Sequence, residues 1–445
     1  MVSLKENFVI EKEKQLAKSA DVVIIGAGIV GCAAAYYLSK RGSKVVLIDK
    51  GKVGWEQSGR NWGFVRQQGR HPLELPLMLE GNKIWQNLEQ ELEADIEWVQ
   101  GGNLRIASDD KDMAVLERMV CEERDIGLNV QVVGRQDVEK LIPSIGTNWG
   151  VGGMFTSTDG HAEPIKVTRA YATAAKNNGT LLYEHCAAED VVTTGNQISG
   201  VITEHGEIST STVICAAGAW SSQIGRMIGL DLPQRKVRAT VAATQPLPYL
   251  TTSGVWASDV SFRQKIDGSL YIAAGGAADI DLTFDMLHHW KTFLPNYKKN
   301  WKTLRFHVGF PLMKDLASKL PWSRTRQHPF AHVVDQEPKP NKGKVKTSRV
   351  ALMKLFPSLN DVSIRTCWAG YIDVTPDMVP VLGETRGISG FVFATGFSGH
   401  GFAMGPIVGR SMAELIFDGR SVVNIHGLRY DRFLENDLAP VRDVI

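Results

Sequence analysis

Residues 21–50 read DVVIIGAGIVGCAAAYYLSKRGSKVVLIDK, and the pattern in them decides the fold. Val22–Ile25 is a short apolar run of the kind that forms a buried parallel strand. Ile29–Lys40 is rich in helix formers, and residues 44–49 are a second apolar run. The three together make a βαβ unit of about thirty residues. Gly26-x-Gly28-x-x-Gly31 falls between strand and helix, and Asp49 ends the second strand eighteen residues after the last glycine. Gly26 permits a tight turn, Gly28 lets the backbone approach a pyrophosphate, and Gly31 allows helix and strand to pack closely. The helix start adds free N–H groups and positive dipole for phosphates. Asp49 suits a ribose 2′-hydroxyl and repels a 2′-phosphate. Alone, the glycine pattern is weak; inside a βαβ frame with the terminal acid it is strong. The competing reading is a glycine-rich packing site between helix and strand. Gly26, Ala27, Gly28, Ile29, Val30, Gly31, Asp49 and Lys50 are thus the expected dinucleotide contacts.

Outward from this unit the chain reads as an ordinary globular one. Its 445 residues are enough for two or three lobes, and a net charge of +2 does not indicate a dedicated nucleic-acid surface. Cys32, Cys121, Cys186, Cys215 and Cys367 are scattered, with no CxxC and no histidine at zinc spacing, so no metal site is expected. Reduced thiols, a charged N-terminal stretch unlike a signal peptide and no apolar run of membrane-spanning length lead to the expectation of a cytoplasmic protein. A helix is expected over 75–92, mixed strand and charged helix over 97–142, and a helix over 164–178. Strands and turns should follow to a buried strand at 213–216 and again over 239–275. Residues 290–350 hold 14 Lys or Arg against 3 Asp or Glu, with the proline-rich EPKPNKGK. This basic insertion reads as a solvated loop, a lid, or a surface attractive to an acidic substrate, subunit or anionic membrane.

The βαβ unit alone does not choose between NAD and FAD. Residues 390–416 help, since they read strand, glycine loop, helix, with no second acid-terminated strand after them. A helix start without a phosphate fingerprint can aim its positive end at a flavin's N1 and C2 carbonyl, which favours FAD.

With these motifs in view, the chain resembles the flavin-dependent amine and amino acid oxidoreductases that include D-amino acid oxidase, glycine oxidase and monomeric sarcosine oxidase. The resemblance runs over nearly the whole length. It rests on GAGIVG, TSTDGHAEP (156–164), VICAAGAWS (213–221), WAGYIDVTPDMVPVLG (368–383) and ATGFSGHGF (394–402). It implies an α/β architecture in which a Rossmann-type FAD-binding domain (18–90, 165–235 and 360–445) interleaves with an α+β substrate domain on an antiparallel sheet (91–164 and 236–359). It also implies that the Ala188 backbone holds the adenine, that Ala217, Gly218 and Trp220 turn near the cofactor, and that Gly396, Ser398, Gly399, His400 and Gly401 close over the pyrimidine ring.

The stretch SGRNWGFVRQQGR (58–70) aligns with a His-Gly-x-x-Arg segment against the flavin. Ser58, Arg60, Asn61, Trp62 and Gly63 are then cofactor-side residues, and Arg66 is the cation beside the flavin. The alternatives are a surface salt bridge for Arg66 and core packing for Trp62, which replaces a histidine. Gly370 stands where sarcosine oxidases carry the cysteine that bonds to the flavin, so FAD is expected to be noncovalent. Ile372 stands where glycine oxidase has a carboxylate-clamping arginine, which leaves Arg66 or Arg263 for that task. Tyr371, His400, His161 and Glu163 are the candidate substrate-side groups, with Arg66, Tyr371 and His400 expected to serve catalysis. No lysine lies near 270–272, where sarcosine oxidase activates oxygen, so the acceptor, dioxygen or another carrier, stays open, as does oligomerisation. Trp62, Phe64, Trp368 and Tyr371 suggest a cavity for apolar or ring-bearing amines.

The implied reaction oxidises the C–N bond of a secondary amine or amino acid to an imine by hydride transfer to flavin N5, followed by hydrolysis. Two alternatives accompany it. One is 2-hydroxy acid oxidation on the same scaffold, and the other is a flavin-carrying subunit of a multi-subunit dehydrogenase.

Overall fold

The computed structural model describes residues 15–441 apart from 276–277, 284–285, 287, 302–303, 310–311, 314–335 and 360. Much of the basic insertion expected at 290–350 therefore lies outside the described residues.

The opening motif folds as its pattern dictates. Strand Val22–Ile25 is buried along its whole length, helix Ile29–Lys40 follows, and strand Val45–Ile48 is again fully buried. Strands buried on both faces have no polar side to show, which is why these runs are continuous rather than alternating. They lie at the centre of a nine-stranded sheet. Its parallel section runs Leu181–Tyr183, Val45–Ile48, Val22–Ile25, Val213–Cys215 and Ile388–Thr395. Val381–Thr385 adds an antiparallel strand, and the strands between 188 and 209 form an antiparallel extension.

One face of this sheet is covered by Ile29–Lys40, Pro164–Asn177 and Gly401–Asp418. The first and last of these helices cross closely because glycine removes the side chains between them. A Cβ on Gly409 would sit 2.5 Å from that of Ala33, and one on Gly405 would sit 2.8 Å from Ile29 Cγ2. Both helices start at one cavity, so the crossing sets the distance between the two ends of that cavity.

Ten strands form the second sheet, with Arg235–Thr244 paired to Leu270–Ala274 on one side and to Ile364–Val374. Most of its pairings are antiparallel, as the resemblance implied. Two are parallel: Gly254–Trp256 with residues 103–105, and Ala278–Asp281 with Leu304–His307. Segment 360–445 contributes strands to both sheets. Phe64–Val65 pairs with Gly160–His161 in a separate two-stranded ribbon. The helix expected over 75–92 is two helices, Leu75–Trp85 and Leu88–Leu92. Asn87 breaks it, its side-chain amide donating to Lys83 O at 3.1 Å, a local bond that competes with helix continuation. Among the described residues no helix is long and apolar enough to cross a membrane.

Candidate functional site

A cavity of about 350 Å³ lies between the glycine turn of the first sheet and the face of the second. One end is built by the βαβ motif. Gly26 has φ +112°, and a Cβ there would sit 2.4 Å from Ala216 O. Gly31 is a packing glycine whose Cβ would lie 1.9 Å from Gly26 O. Gly28 borders the cavity, and Ser58 Oγ, which accepts the Ile29 N–H at 2.9 Å, sits just beyond it. Asp49 accepts the Ala27 and Gly51 N–H groups, both at 2.7 Å. Burial pushes its carboxyl up to about 6 against the pull of these bonds. Lys50, Ala188, Cys186, Ala217, Gly218 and Trp220 line the same end. Glu56 accepts the Trp220 indole N–H at 2.8 Å and pairs with Lys50 at 2.5 Å.

The other end is formed by Gly401–Asp418, whose first residues Gly401, Phe402 and Ala403 line the cavity with the unbonded N–H groups of a helix start. The turn before it is held by Asp373. That carboxylate accepts the Gly396 N–H and the Gln57 side-chain amide, both at 2.8 Å, while the Asp373 carbonyl accepts the Ser398 N–H at 2.8 Å. Gly396 and Gly399 take positive φ, and so does Ser398 at 51°. Opposite this turn, Trp62, Phe64 and Trp256 pack their rings 5.1 to 5.8 Å apart as one aromatic wall.

Between wall and turn lie Arg66, Arg70 and His400. Arg66 stacks over Trp256 with its guanidinium carbon 4.7 Å from the ring centroid, and donates to Gln68 O at 2.9 Å. Arg70 donates twice to Arg66 O, leaving a buried Nη1 with no hydrogen-bond partner among the described residues. Burial and the nearby Arg66 pull Arg70 down to about 9. His400 Nδ1 lies 3.0 Å from Glu74 Oε1. Burial and Arg70 push His400 down to about 4 against the opposing pull of Glu74, and the carboxylate, which can only accept, draws the Nδ1 proton toward itself. Burial works to raise Glu74, but His400 and Arg70 outweigh it and keep its carboxyl below the usual range.

A family model described as DAO, FAD dependent oxidoreductase, matches residues 21–415. The chain belongs to this family. The oxidoreductase is 26% identical over 433 residues to mitochondrial sarcosine dehydrogenase of Homo sapiens, covering 94% of this chain and 42% of that protein. The chain thus spans less than half the length of that relative. It is 22% identical over 444 residues to hydrogen cyanide synthase subunit HcnC of Pseudomonas aeruginosa, covering 90% of this chain and 93% of that one. Its fold is similar to that of L-amino acid deaminase from Proteus myxofaciens in complex with anthranilate. The TM-score is 0.90 and the identity 26%, with 96% of this chain and 97% of that one covered. The resemblance carried by the motifs is therefore a family membership, and the oxidoreductase is FAD-dependent.

The cavity gathers most residues singled out from the sequence: Gly26, Gly28, Ile29, Val30, Asp49, Lys50, Ser58, Arg60, Asn61, Trp62, Arg66, Ala188, Ala217, Gly218, Trp220, Gly370, Tyr371, Ser398, Gly399, His400 and Gly401. Ala27, Gly31, Gly63 and Gly396 stand behind its surface and shape the turns. Several of the expected site residues also have partners within the protein. Arg60 spends its guanidinium on Trp55 O, Ala369 O and Glu337, and so ties the loop to the second sheet. Asn61 bonds Ser58 O and the Gly63 N–H within its own turn. Arg66 is not a surface residue. Arg263, an alternative carboxylate anchor, is buried outside the cavity, bonded to Trp62 O and Glu163 and packed over Tyr271. Glu163 also pairs with Lys265 at 3.2 Å, and His161 bonds Thr252 O, with burial and Arg263 pushing it down to about 3. Neither His161 nor Glu163 lines the cavity. Trp368 does not either, because its indole donates to Arg60 O at 3.0 Å. The Tyr371 hydroxyl is 3.4 Å from Asp281, and burial with that carboxylate raises it to about 12.

Arg70, Glu74, Trp256, Gln57 and Asp373 went unnoticed in the sequence. Arg70 had a signal in its place at the end of the RQQGR run; the others depend on distant partners.

Proposed function

We propose that this oxidoreductase oxidises the C–N bond of a secondary amine or amino acid to an imine, which water then hydrolyses. The observation that carries the reading is the Glu74-held His400 beside two buried arginines at the end of the cavity where the Gly401–Asp418 helix begins. When bound, FAD supplies a two-electron acceptor for the substrate's α-hydrogen. Gly26 to Val30, Ser58, Asp49 and Ala188 hold its dinucleotide portion, and the Gly396 to Gly401 turn with the following helix start holds its ring. Gly370, in place of a cysteine, and Cys367, which does not line the cavity, support noncovalent attachment.

His400 keeps its Nε2 as a hydrogen-bond acceptor, able to orient the N–H of the reacting amine. Arg66 and Arg70 grip a substrate carboxylate in place of the arginine that Ile372 replaces; the Arg70 Nη1, unpartnered among the described residues, and the planar guanidinium on Trp256 suit a bidentate partner. Trp62, Phe64 and Trp256 exclude water and accept an apolar N-substituent. Tyr371, committed to Asp281, positions the second sheet against the cavity. The two-domain division expected from the sequence and a cytoplasmic setting go with this proposal. The relatives named for sarcosine and L-amino acids point the same way.

The test is anaerobic flavin bleaching by a panel of secondary amines, amino acids and 2-hydroxy acids. Fast bleaching by amino compounds bearing a carboxylate is expected. Bleaching by hydroxy acids alone would overturn the reading. A second reading, a flavin-carrying subunit of a larger dehydrogenase, is favoured by the relative named as a subunit of hydrogen cyanide synthase. It predicts turnover only with added partner proteins.

A further inference from the structure

Outside the lining of the cavity, Asp231, His288 and His289 bring three ligand-bearing side chains together, with one ligand atom from each lying within 4.8 Å of the others. His288 Nε2 is 2.9 Å from Asp231 Oδ2, and His289 Nε2 is 3.1 Å from Oδ1. The two imidazole rings meet edge to face, their centroids 4.4 Å apart. The three come from two separate parts of the chain. Asp231 follows helix Ser221–Met227, beside the first sheet, between the buried Leu230 and Leu232, and its backbone N–H donates to the Tyr430 hydroxyl at 3.1 Å. His289 caps helix Trp290–Asn300, which opens the basic insertion. That helix is seated by Asn296, donating to Pro376 O, and by buried Phe293 under Arg235. Both sides of the cluster are therefore positioned by groups other than the cluster itself.

We infer that Asp231, His288 and His289 bind a borderline divalent cation of the Zn²⁺ type and clasp the start of the basic insertion to the FAD-binding half. Two imidazoles and a carboxylate are a ligand set that Zn²⁺ accepts, and a tetrahedral ion with bonds of about 2.0–2.1 Å needs ligand atoms about 3.3 Å apart, close to the 2.9 and 3.1 Å between each imidazole and the carboxylate. Water completes the coordination, because the site is partly open: the side chains of Asp231 and His288 are about half exposed. On binding, each neutral imidazole presents its Nε2 lone pair to the ion and carries its proton on Nδ1. The guanidinium of Arg226, which competes for the same carboxylate, is 3.9 Å from Asp231 Oδ1, too distant to hold that oxygen in a hydrogen bond. Mg²⁺, which prefers six oxygen ligands, is not expected to bind.

The experiment titrates ZnCl₂ into chelator-treated, FAD-loaded full chain in a calorimeter. One equivalent should bind, and His289→Ala and Asp231→Asn should each weaken binding at least tenfold, with flavin absorbance unchanged to show that the variants are folded. Zn²⁺ should also slow tryptic cleavage after Lys298 and Lys299 in the wild type and leave it unchanged in Asp231→Asn. No stoichiometric binding, or equal affinity in wild type and both variants, overturns the site. Cleavage unaffected by Zn²⁺ in the wild type overturns the clasp.

Discussion

His400 Nδ1 and Glu74 Oε1 stand 3.0 Å apart although 326 residues separate them, and the pair fixes which nitrogen of the ring carries the proton. Burial and Arg70 lower His400 to about 4, while Glu74 alone among its close charges raises it. Neutralising Glu74 must then lower His400 further. The acid limb of anaerobic flavin reduction, set by protonation of His400 near pH 4, should move to lower pH in Glu74→Gln and disappear in His400→Ala. A limb that stays in place in both variants would assign that protonation to another group.

Arg66 lies with its guanidinium carbon 4.7 Å from the Trp256 ring centroid, and planarity is what both the stacking and a forked grip on a carboxylate require. A charged hydrogen bond of this kind contributes about 1.5–3 kcal/mol, or roughly ten- to a hundredfold. Arg66→Ala should keep its flavin and lose that much in kcat/KM for a carboxylate-bearing substrate. Arg66→Lys should not restore it. Full turnover by Arg66→Ala would remove Arg66 from substrate binding.

Asp159 is buried beneath this cluster, with Oδ1 taken by the Gln67 backbone and side-chain amides and Oδ2 unpartnered among the described residues. Burial raises it to about 7. A carboxyl raised in the folded state contributes stability that is present below its unfolded value near 4 and lost as pH rises through about 7. Asp159→Asn cannot ionise. Its melting temperature should therefore fall less than that of the wild type between pH 5 and pH 8. The difference should be a few degrees, because a tenfold change in proton affinity between folded and unfolded chain is about 1.4 kcal/mol. Parallel melting curves would show that Asp159 does not titrate in this range.

What the sequence disclosed and what it hid follow one physical division. The βαβ unit, the glycine turns and the strand at 213–215 depend on apolar period and on φ, both local properties, and they are legible in a run of thirty residues. The charged part of the site depends on pairings across the fold. Arg263 looked like a free cation because Glu163, 100 residues away, is invisible beside it in the text. Asp373 drew no notice in the text, yet from its strand it orders the Gly396 turn and bonds Gln57, 316 residues distant. Trp62 and Trp368 read alike in sequence; only the indole bond to Arg60 O takes Trp368 out of the cavity.

Gly28 and Gly31 separate the two demands that the opening motif makes. A Cβ on Gly31 would lie 1.9 Å from the Gly26 carbonyl, a backbone atom that cannot yield, so Gly31→Ala should lose folded protein altogether. A Cβ on Gly28 would lie 3.0 Å from Ser58 Oγ, the tip of a side chain that can give by a few tenths of an ångström. Gly28→Ala should therefore fold and keep FAD with weakened affinity. A branched side chain has no such room, because it would displace Ser58 from the Ile29 N–H and fill the approach to the helix start. Gly28→Val should purify folded but colourless, with native circular dichroism and no flavin absorbance, and added FAD should not restore it. A yellow Gly28→Val would place the phosphates elsewhere than on this turn.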